Sequence, residues 1–344
     1  MQKRLAKEVI GQVFVYQQSY NVIVRILVTG GFGFIGSHLT KRLLKDGHEV
    51  TVLDNSSTGR KTNLHSVYTS TRLTLVEGSV LDFDLLSNLG NETEYIFHLA
   101  AAVGVFNIVN NPLDSLLVNI RGTENVLEIA NKKKVPVFLT SSSEVYGKNI
   151  SNSLMETDDR ILGSPTILRW SYSEAKAIDE SLATAYNIEH NLETRIVRLF
   201  NTVGPMQLGT YGMVVPRFVK SALNHETITI YGDGNQTRCF AHVYDVVEAI
   251  VAVAFSENTV GKVVNIGNTE EISIKDLANL VVKETGSQSR IEFLPYSEAY
   301  GNGFEDMERR VPNIDLIHNL VGWQPTRNLS TIIGDIVEEM KSEG

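Results

Sequence analysis

Short apolar runs, separated by stretches with helical spacing, set the rhythm of the chain from Arg25 to about Leu199. Ile26-Leu27-Val28 leads into a glycine turn and then a helical pattern carried by Leu39, Leu43 and Leu44. Similar runs recur at Val50-Thr51-Val52-Leu53, Leu73-Thr74-Leu75-Val76, Tyr95-Ile96-Phe97-His98-Leu99, Val137-Phe138-Leu139 and Thr194 to Leu199, with a helix predicted from near Ser115 to Asn131. Strands alternating with helices make βαβ units with right-handed crossovers, so the pattern predicts a doubly wound α/β core around a parallel sheet. After Asn201 the spacing loosens around Gly204-Pro205, Tyr231-Gly232-Asp233-Gly234 and Gly301-Asn302-Gly303, and a smaller, turn-rich C-terminal part is expected.

Composition narrows the partners. The chain has 344 residues, 42% hydrophobic and 21% charged, enough for two domains or one large core with a satellite, and it excludes disordered and fibrous classes. A net charge of −9 argues against sequence-independent nucleic-acid binding, which needs a basic face. No apolar run approaches the ~20 residues that span a bilayer, so no membrane partner is expected. The single Cys239 cannot form an internal disulfide and suits a reducing, cytoplasmic compartment. Residues 1–24 lack a continuous apolar segment and read as an N-terminal extension ahead of the globular pattern. The 8 histidines show no metal-ligand spacing, and no metal is expected.

Thr29-Gly30-Gly31-Phe32-Gly33-Phe34-Ile35-Gly36 follows a predicted strand and opens a predicted helix. Gly31, Gly33 and Gly36 satisfy G-x-G-x-x-G. Glycine lets the backbone turn tightly, approach a pyrophosphate and pack the helix on the strand, and the helix N-terminus offers free N–H groups. Such a loop alone fits any tight turn. Asp54, however, closes the next strand at about the ~20-residue spacing expected of an acid that holds ribose hydroxyls. A carboxylate there repels a 2′-phosphate and favours NAD over NADP. Arg60 in the following loop is the competing signal, and it reads as solvated.

Two further clusters carry chemistry. Ser141-Ser142-Ser143-Glu144 follows the fifth predicted strand, whose C-terminal end faces the ligand crevice of an open parallel sheet. Tyr172 and Lys176 stand one helical turn apart, on one face. Among 12 tyrosines, Tyr-x-x-x-Lys is a weak signal alone, and it gains force from following a dinucleotide loop and a polar strand end.

The ordered set TGGFGFIG, DN-x-STG, HLAA, SSSEVYG, YSEAK, RLFNTVGP, VVPRFV, YGDGNQTRCF and LVGWQP resembles the extended short-chain dehydrogenase/reductase family of nucleotide-sugar epimerases, dehydratases and decarboxylases. The Ser-Glu pair before Val-Tyr-Gly and the segment Arg169-Trp170-Ser171-Tyr172 are similar to UDP-glucuronate decarboxylases within it. The resemblance implies a Rossmann-type NAD-binding domain over residues 25–200 and a mainly substrate-binding part over 201–344, some of whose segments return to the core. It implies NAD contacts from Gly30, Gly33, Phe34, Ile35, Gly36, Asp54, Asn55, Val80, Leu99, Ala100, Ala101, Tyr172 and Lys176. Tyr172 is then the base at the sugar C4 hydroxyl, with Lys176 favouring its phenolate and Ser142 bonding the same oxygen. Glu144 positions a uronate carboxylate or manages the proton returning to C5. Ser143 stands where the 4,6-dehydratases carry an acidic Asp, which argues against dehydration. Asn201, Arg217, Tyr231, Arg238 and Arg310 are implied in holding a UDP-sugar, and helix packing through Ile178, Leu182 and Ala185 implies a homodimer.

The expected activity is thus NAD-dependent decarboxylation of UDP-glucuronate through a 4-keto sugar, with C4 epimerisation of a UDP-sugar as the alternative. Two positions depart from the family pattern: Met206 stands where many relatives have Arg, and Ser79 where an adenine-contacting Asp is common. His98, closing an apolar strand, reads as a satisfied core residue.

Overall fold

The computed structural model describes residues 23–104, 111–209, 213–296, 298, 307 and 309–343. The proposed extension at 1–24 therefore lies outside the described residues, apart from Ile23 and Val24. The first half of the chain runs β1 (Arg25–Thr29), α1 (Phe34–Lys45), β2 (Glu49–Asp54), β3 (Leu73–Glu77), α2 (Phe83–Gly90), β4 (Tyr95–His98), α3 (Pro112–Lys133), β5 (Val137–Ser142), α4 (Ser171–His190) and β6 (Thr194–Leu199). The remainder adds β7 (Thr202–Val203), α5 (Val214–Leu223), β8 (Ile228–Tyr231), β9 (Thr237–Cys239), β10 (Ala241–His242), α6 (Val243–Ala254), β11 (Val263–Ile266), β12 (Glu271–Ser273), α7 (Ile274–Thr285), β13 (Ile291–Leu294), α8 (Asp315–Val321) and α9 (Leu329–Glu343).

Among the described residues seven strands form a parallel sheet in the order β11-β6-β5-β4-β1-β2-β3. Val28 pairs with Val52 on one side and Phe97 on the other. The chain thus leaves β1 towards β2 and returns to β4, and the crevice at that switch lies beyond the strands' C-terminal ends. The period of two along β1 sorts its side chains: Ile26 and Val28 enter one apolar cluster with Leu39, Leu43 and Ile250, while Leu27 joins Ile96, Leu127 and Leu139 on the opposite face. Both faces of β1 are covered, which is why all its residues after Arg25 are buried.

The later part of the chain has its own core, with Val215, Phe218, Ile230, Leu277 and Ile333 in one cluster, and it donates β11 to the edge of the large sheet. Buried Asp245 ties the C-terminal segment to α6. It accepts the backbone N–H groups of Thr326 and Arg327 at 3.0 and 2.9 Å and the Thr326 hydroxyl at 2.8 Å. Among the described residues no helix is long and apolar enough to cross a membrane.

Among the described residues His38, His48, His98 and His242 are buried, and burial lowers the pKa of each, most strongly for His98 and His38. His98 shares hydrogen bonds with the Thr29 hydroxyl at 2.7 Å and the Thr123 hydroxyl at 3.2 Å, and burial, helped by Lys176, pushes its pKa down to about 3. His38 donates from Nε2 to the Pro205 carbonyl at 3.0 Å, and burial lowers its pKa to about 4 against the opposing effect of that bond. Between these values and about 6.5 the unfolded chain binds more protons than the folded one, so stability rises with pH across that window. Urea unfolding as a function of pH is expected to show stability falling from about pH 6.5 downwards, each histidine contributing up to about 1.4 kcal/mol per pH unit. His98→Asn should flatten that slope; an unchanged slope would place the acid sensitivity elsewhere.

Candidate active site

A cleft of about 860 Å³ opens at the C-terminal ends of the parallel strands. The turn after β1 forms one wall. Gly30 has φ +76°, and a Cβ there would stand 2.7 Å from the Ala100 nitrogen at the end of β4. A Cβ on Gly36 would lie 2.1 Å from the Gly30 carbonyl oxygen. The two glycines therefore let α1 start hard against the sheet. Its first turn has no side-chain cap and no acidic residue, leaving Phe34, Ile35 and Gly36 on the cleft with the N–H groups and the positive end of the helix.

Asp54 sits beside this turn, nearly sealed from solvent. Its carboxylate accepts the Phe32 N–H at 2.9 Å and the Ser56 N–H at 2.8 Å. Burial raises its pKa, and these backbone bonds oppose that shift. The Gly33 N–H bonds the same carboxylate, and with two lone pairs on each oxygen it keeps capacity for a further donor. An uncapped helix end, a close glycine turn and a carboxylate with spare acceptor capacity fit the pyrophosphate and ribose of a dinucleotide. Gly33, Asn55, Val80, Leu99, Ala100 and Ala101 border the same cleft, as does Ser79, whereas Arg60 is exposed and outside it.

The opposite wall is built by β5, the short turn Ser143–Tyr146 and α4. Docking of α4 rests on a buried ion pair. Glu180 accepts Arg198 Nε at 3.0 Å and Nη2 at 2.8 Å, and the Ser141 hydroxyl at 2.5 Å. This fixes Tyr172 and Lys176 on the cleft, and the Ser142 hydroxyl hydrogen-bonds the Tyr172 phenol. Burial raises the Tyr172 pKa, with Glu144 and Asp179 adding to the rise and Ser142 opposing it.

Glu144 lies between two arginines, with Arg169 Nη1 2.5 Å from Oε2 and Arg310 Nη2 2.9 Å from Oε1. Burial alone would raise its pKa, but the two guanidiniums outweigh it and hold the carboxyl well below the usual range. Arg310 Nη1 also donates to the Ser143 hydroxyl at 3.2 Å. Arg310, which the resemblance groups with nucleotide contacts, thus stands at the Glu144 end of the cleft.

Asn201 and Met206 line the cleft as well. Asn201 Nδ2 donates to the Cys239 carbonyl at 3.0 Å. Met206 has φ +67° and receives Lys41 Nζ at 3.5 Å from its sulfur. Arg217, Tyr231 and Arg238 are not among the described lining residues. Arg217 stacks over the Tyr231 ring at 4.3 Å and donates to the Thr229 carbonyl, and Arg238 donates to the Thr237 carbonyl. The sequence reading does not single out Asp179, which pairs with Lys176 Nζ at 3.1 Å, nor the clamp that Arg169 places on Glu144. The only local signals were an acid three residues after Lys176 and an arginine three before Tyr172.

The family described as NAD dependent epimerase/dehydratase matches residues 26–267. UDP-N-acetyl-alpha-D-glucosaminuronate decarboxylase of Bacillus cytotoxicus is 39% identical over 88% of this chain and 92% of its own length. UDP-glucuronic acid decarboxylase 1 of Xenopus tropicalis is 37% identical over 93% of this chain and 72% of its own. Among solved structures, the UDP-glucose 4-epimerase of Thermotoga maritima with UDP-glucose superposes with a TM-score of 0.84 at 28% identity, covering 93% of this chain and 99% of that one. The glycine turn, the acid of β2 and the tyrosine helix therefore sit on a fold and a sequence shared with known enzymes, and the chain belongs to the NAD dependent epimerase/dehydratase family.

Proposed function

We propose that the protein uses NAD to decarboxylate a UDP-linked uronic acid, with UDP-glucuronate as the substrate, through a transient 4-keto sugar. The observation that carries this reading is the cluster around Glu144. The guanidiniums of Arg169 and Arg310 line the cleft together with Glu144, Ser142 and Tyr172, and guanidinium groups beside the tyrosine suit a sugar that carries a carboxylate. Two relatives carry names of UDP-uronate decarboxylases, which supports the same reading.

The pyrophosphate would rest on the start of α1 and the adenosine ribose on Asp54. Held there, NAD would supply the hydride acceptor for oxidation at C4 and the hydride donor for the later reduction. Tyr172 takes the C4 hydroxyl proton, and Ser142 orients the same oxygen. The resulting ketone lies β to the C6 carboxylate. The C5–C6 bond then breaks, carbon dioxide leaves, and the electron pair moves onto the C4 oxygen. There the newly protonated Tyr172 and Ser142 donate hydrogen bonds to the developing oxyanion. Glu144 remains an anion throughout this step, because Arg169 and Arg310 hold it deprotonated, and it sets the orientation of Arg310 towards the leaving carboxylate. Solvent water supplies the proton that adds at C5 in place of the carboxyl group, and Tyr172 returns its proton to the C4 oxygen when the ketone is reduced. The apolar stripe of Ile178, Leu182 and Ala185 on α4 is exposed or half-buried and fits the homodimer.

Incubation with UDP-glucuronate is expected to release carbon dioxide and yield UDP-xylose. UDP-galacturonate as sole product would replace this reading with C4 epimerisation, which uses the same Tyr172 and Ser142. Glu144→Gln should spare the first C4 oxidation and slow carbon-dioxide release, while Tyr172→Phe should slow C4 oxidation by about 10²–10⁴-fold. For the cofactor, released nucleotide from denatured protein should be NAD. Asp54→Asn keeps one acceptor but removes the charge, so calorimetry should show NAD bound about tenfold more weakly and discrimination against NADP reduced. Equal affinity for both dinucleotides in the parent protein would refute the role given to Asp54.

A further inference from the structure

We propose that Asp179 is a positioning residue for the catalytic pair: its carboxylate keeps Lys176 charged and so sets the pH at which Tyr172 gives up its proton. The proposal rests on the reading of Tyr172 as the base, and it extends that reading to a residue outside the cleft lining. Lys176 is 2% exposed and Asp179 wholly buried, one helical turn below it, with 3.1 Å between Nζ and Oδ2. A lysine taken out of water loses its charge unless a partner opposes the desolvation. Among the described residues Asp179 is the carboxylate hydrogen-bonded to it.

Every neighbouring element contributes to this environment. From α3, the Thr123 hydroxyl stabilises the Asp179 carboxylate and also bonds His98 Nε2. From β4, His98 is held neutral by burial and by Lys176. From β5 and the turn after it come Ser142 on the phenol and Glu144, whose charge Arg169 and Arg310 compensate. On α4 itself, Glu180 is committed to Arg198. Asp179 is thus the one of these carboxylates paired with lysine alone. Burial raises its own pKa and Lys176 opposes that rise, so the pair stands or falls together.

The sign follows from charge. With Asp179 ionised, loss of a proton from Tyr172 and Lys176 takes the cluster of three from neutral to negative. Without it, the same loss takes a buried positive charge to neutral, which is easier. Asp179→Asn should therefore lower the apparent pKa of the pair by about one unit, and Asp179→Glu should restore most of the parent value.

The test is carbon-13 NMR of protein labelled at tyrosine Cζ, loaded with NAD, with the Tyr172 signal assigned by its absence in Tyr172→Phe. The Tyr172 titration is expected to move to lower pH in Asp179→Asn and to stay near the parent value in Asp179→Glu. In a Lys176→Met background the Asp179→Asn shift should vanish, because an unpaired buried carboxylate is already protonated. An unmoved titration in Asp179→Asn, or a shift of equal size in the Lys176→Met background, overturns the proposal. Should Asp179→Asn alone fail to fold, the Lys176→Met/Asp179→Asn double variant, which buries no unpaired charge, must fold; an equally unfolded double variant also overturns it. The acid limb of C4 oxidation of UDP-glucuronate should move with the NMR titration. A parent protein that oxidises no UDP-sugar but shows the NMR shift would defeat the proposed function and leave the role of Asp179 standing.

Discussion

The buried pair of Glu180 and Arg198 fixes where α4, the helix that carries Tyr172 and Lys176, can sit. Arg198 lies on β6 inside the sheet, Glu180 lies on α4, and Ser141 at the end of β5 completes the contact. Neither ion is stable there without the other, so the helix has one seating in which both charges are met. Tyr172 and Lys176, two turns and one turn before Glu180, inherit that seating. A hydrophobic face alone would permit sliding by fractions of a turn, and a charge pair with short bonds does not.

The same rule organises the chemistry around it. Glu144 is met by Arg169 and Arg310, Lys176 by Asp179, and His98 by two hydroxyls while it stays neutral. These groups come from β1, β4, α3, the turn after β5, α4 and the C-terminal segment. The later part of the chain supplies Asn201, Met206 and Arg310 to the cleft and β11 to the large sheet. Its contribution is therefore to close the cleft and to bring Arg310 onto Glu144, and Asp245 anchors the segment just beyond by holding Thr326 and Arg327.

What was legible in the sequence was local. The strands announced themselves as apolar runs because both faces of the sheet are covered, and the glycine turn and Asp54 lie in one βαβ unit whose spacing is set by a strand and a helix. Tyr172 and Lys176 share a face because helices repeat every 3.6 residues. The clamp on Glu144 was not legible as a clamp, since Arg310 lies far along the chain and its segment is held beside the site by pairing with Leu154. Asp179 was hidden for another reason: on a helix of mixed composition, an acid three residues from a lysine usually marks a solvated surface pair. Only burial distinguishes it. Arg217, Tyr231 and Arg238, which only the resemblance implies in substrate binding, pack ring on guanidinium and against backbone carbonyls beside the C-terminal core.

Asp54 has an obligation besides any ligand. Its two oxygens are acceptors for the Phe32 and Ser56 N–H groups, one in the glycine turn and one in the loop after β2. Replacing the carboxylate by a small neutral or a basic side chain would orphan two backbone donors at the mouth of the cleft. On the proposed reading, coenzyme choice and loop geometry are consequently written into one residue. An engineer seeking to change the redox coenzyme would have to rebuild the acceptors for that loop first, or select for both properties at once.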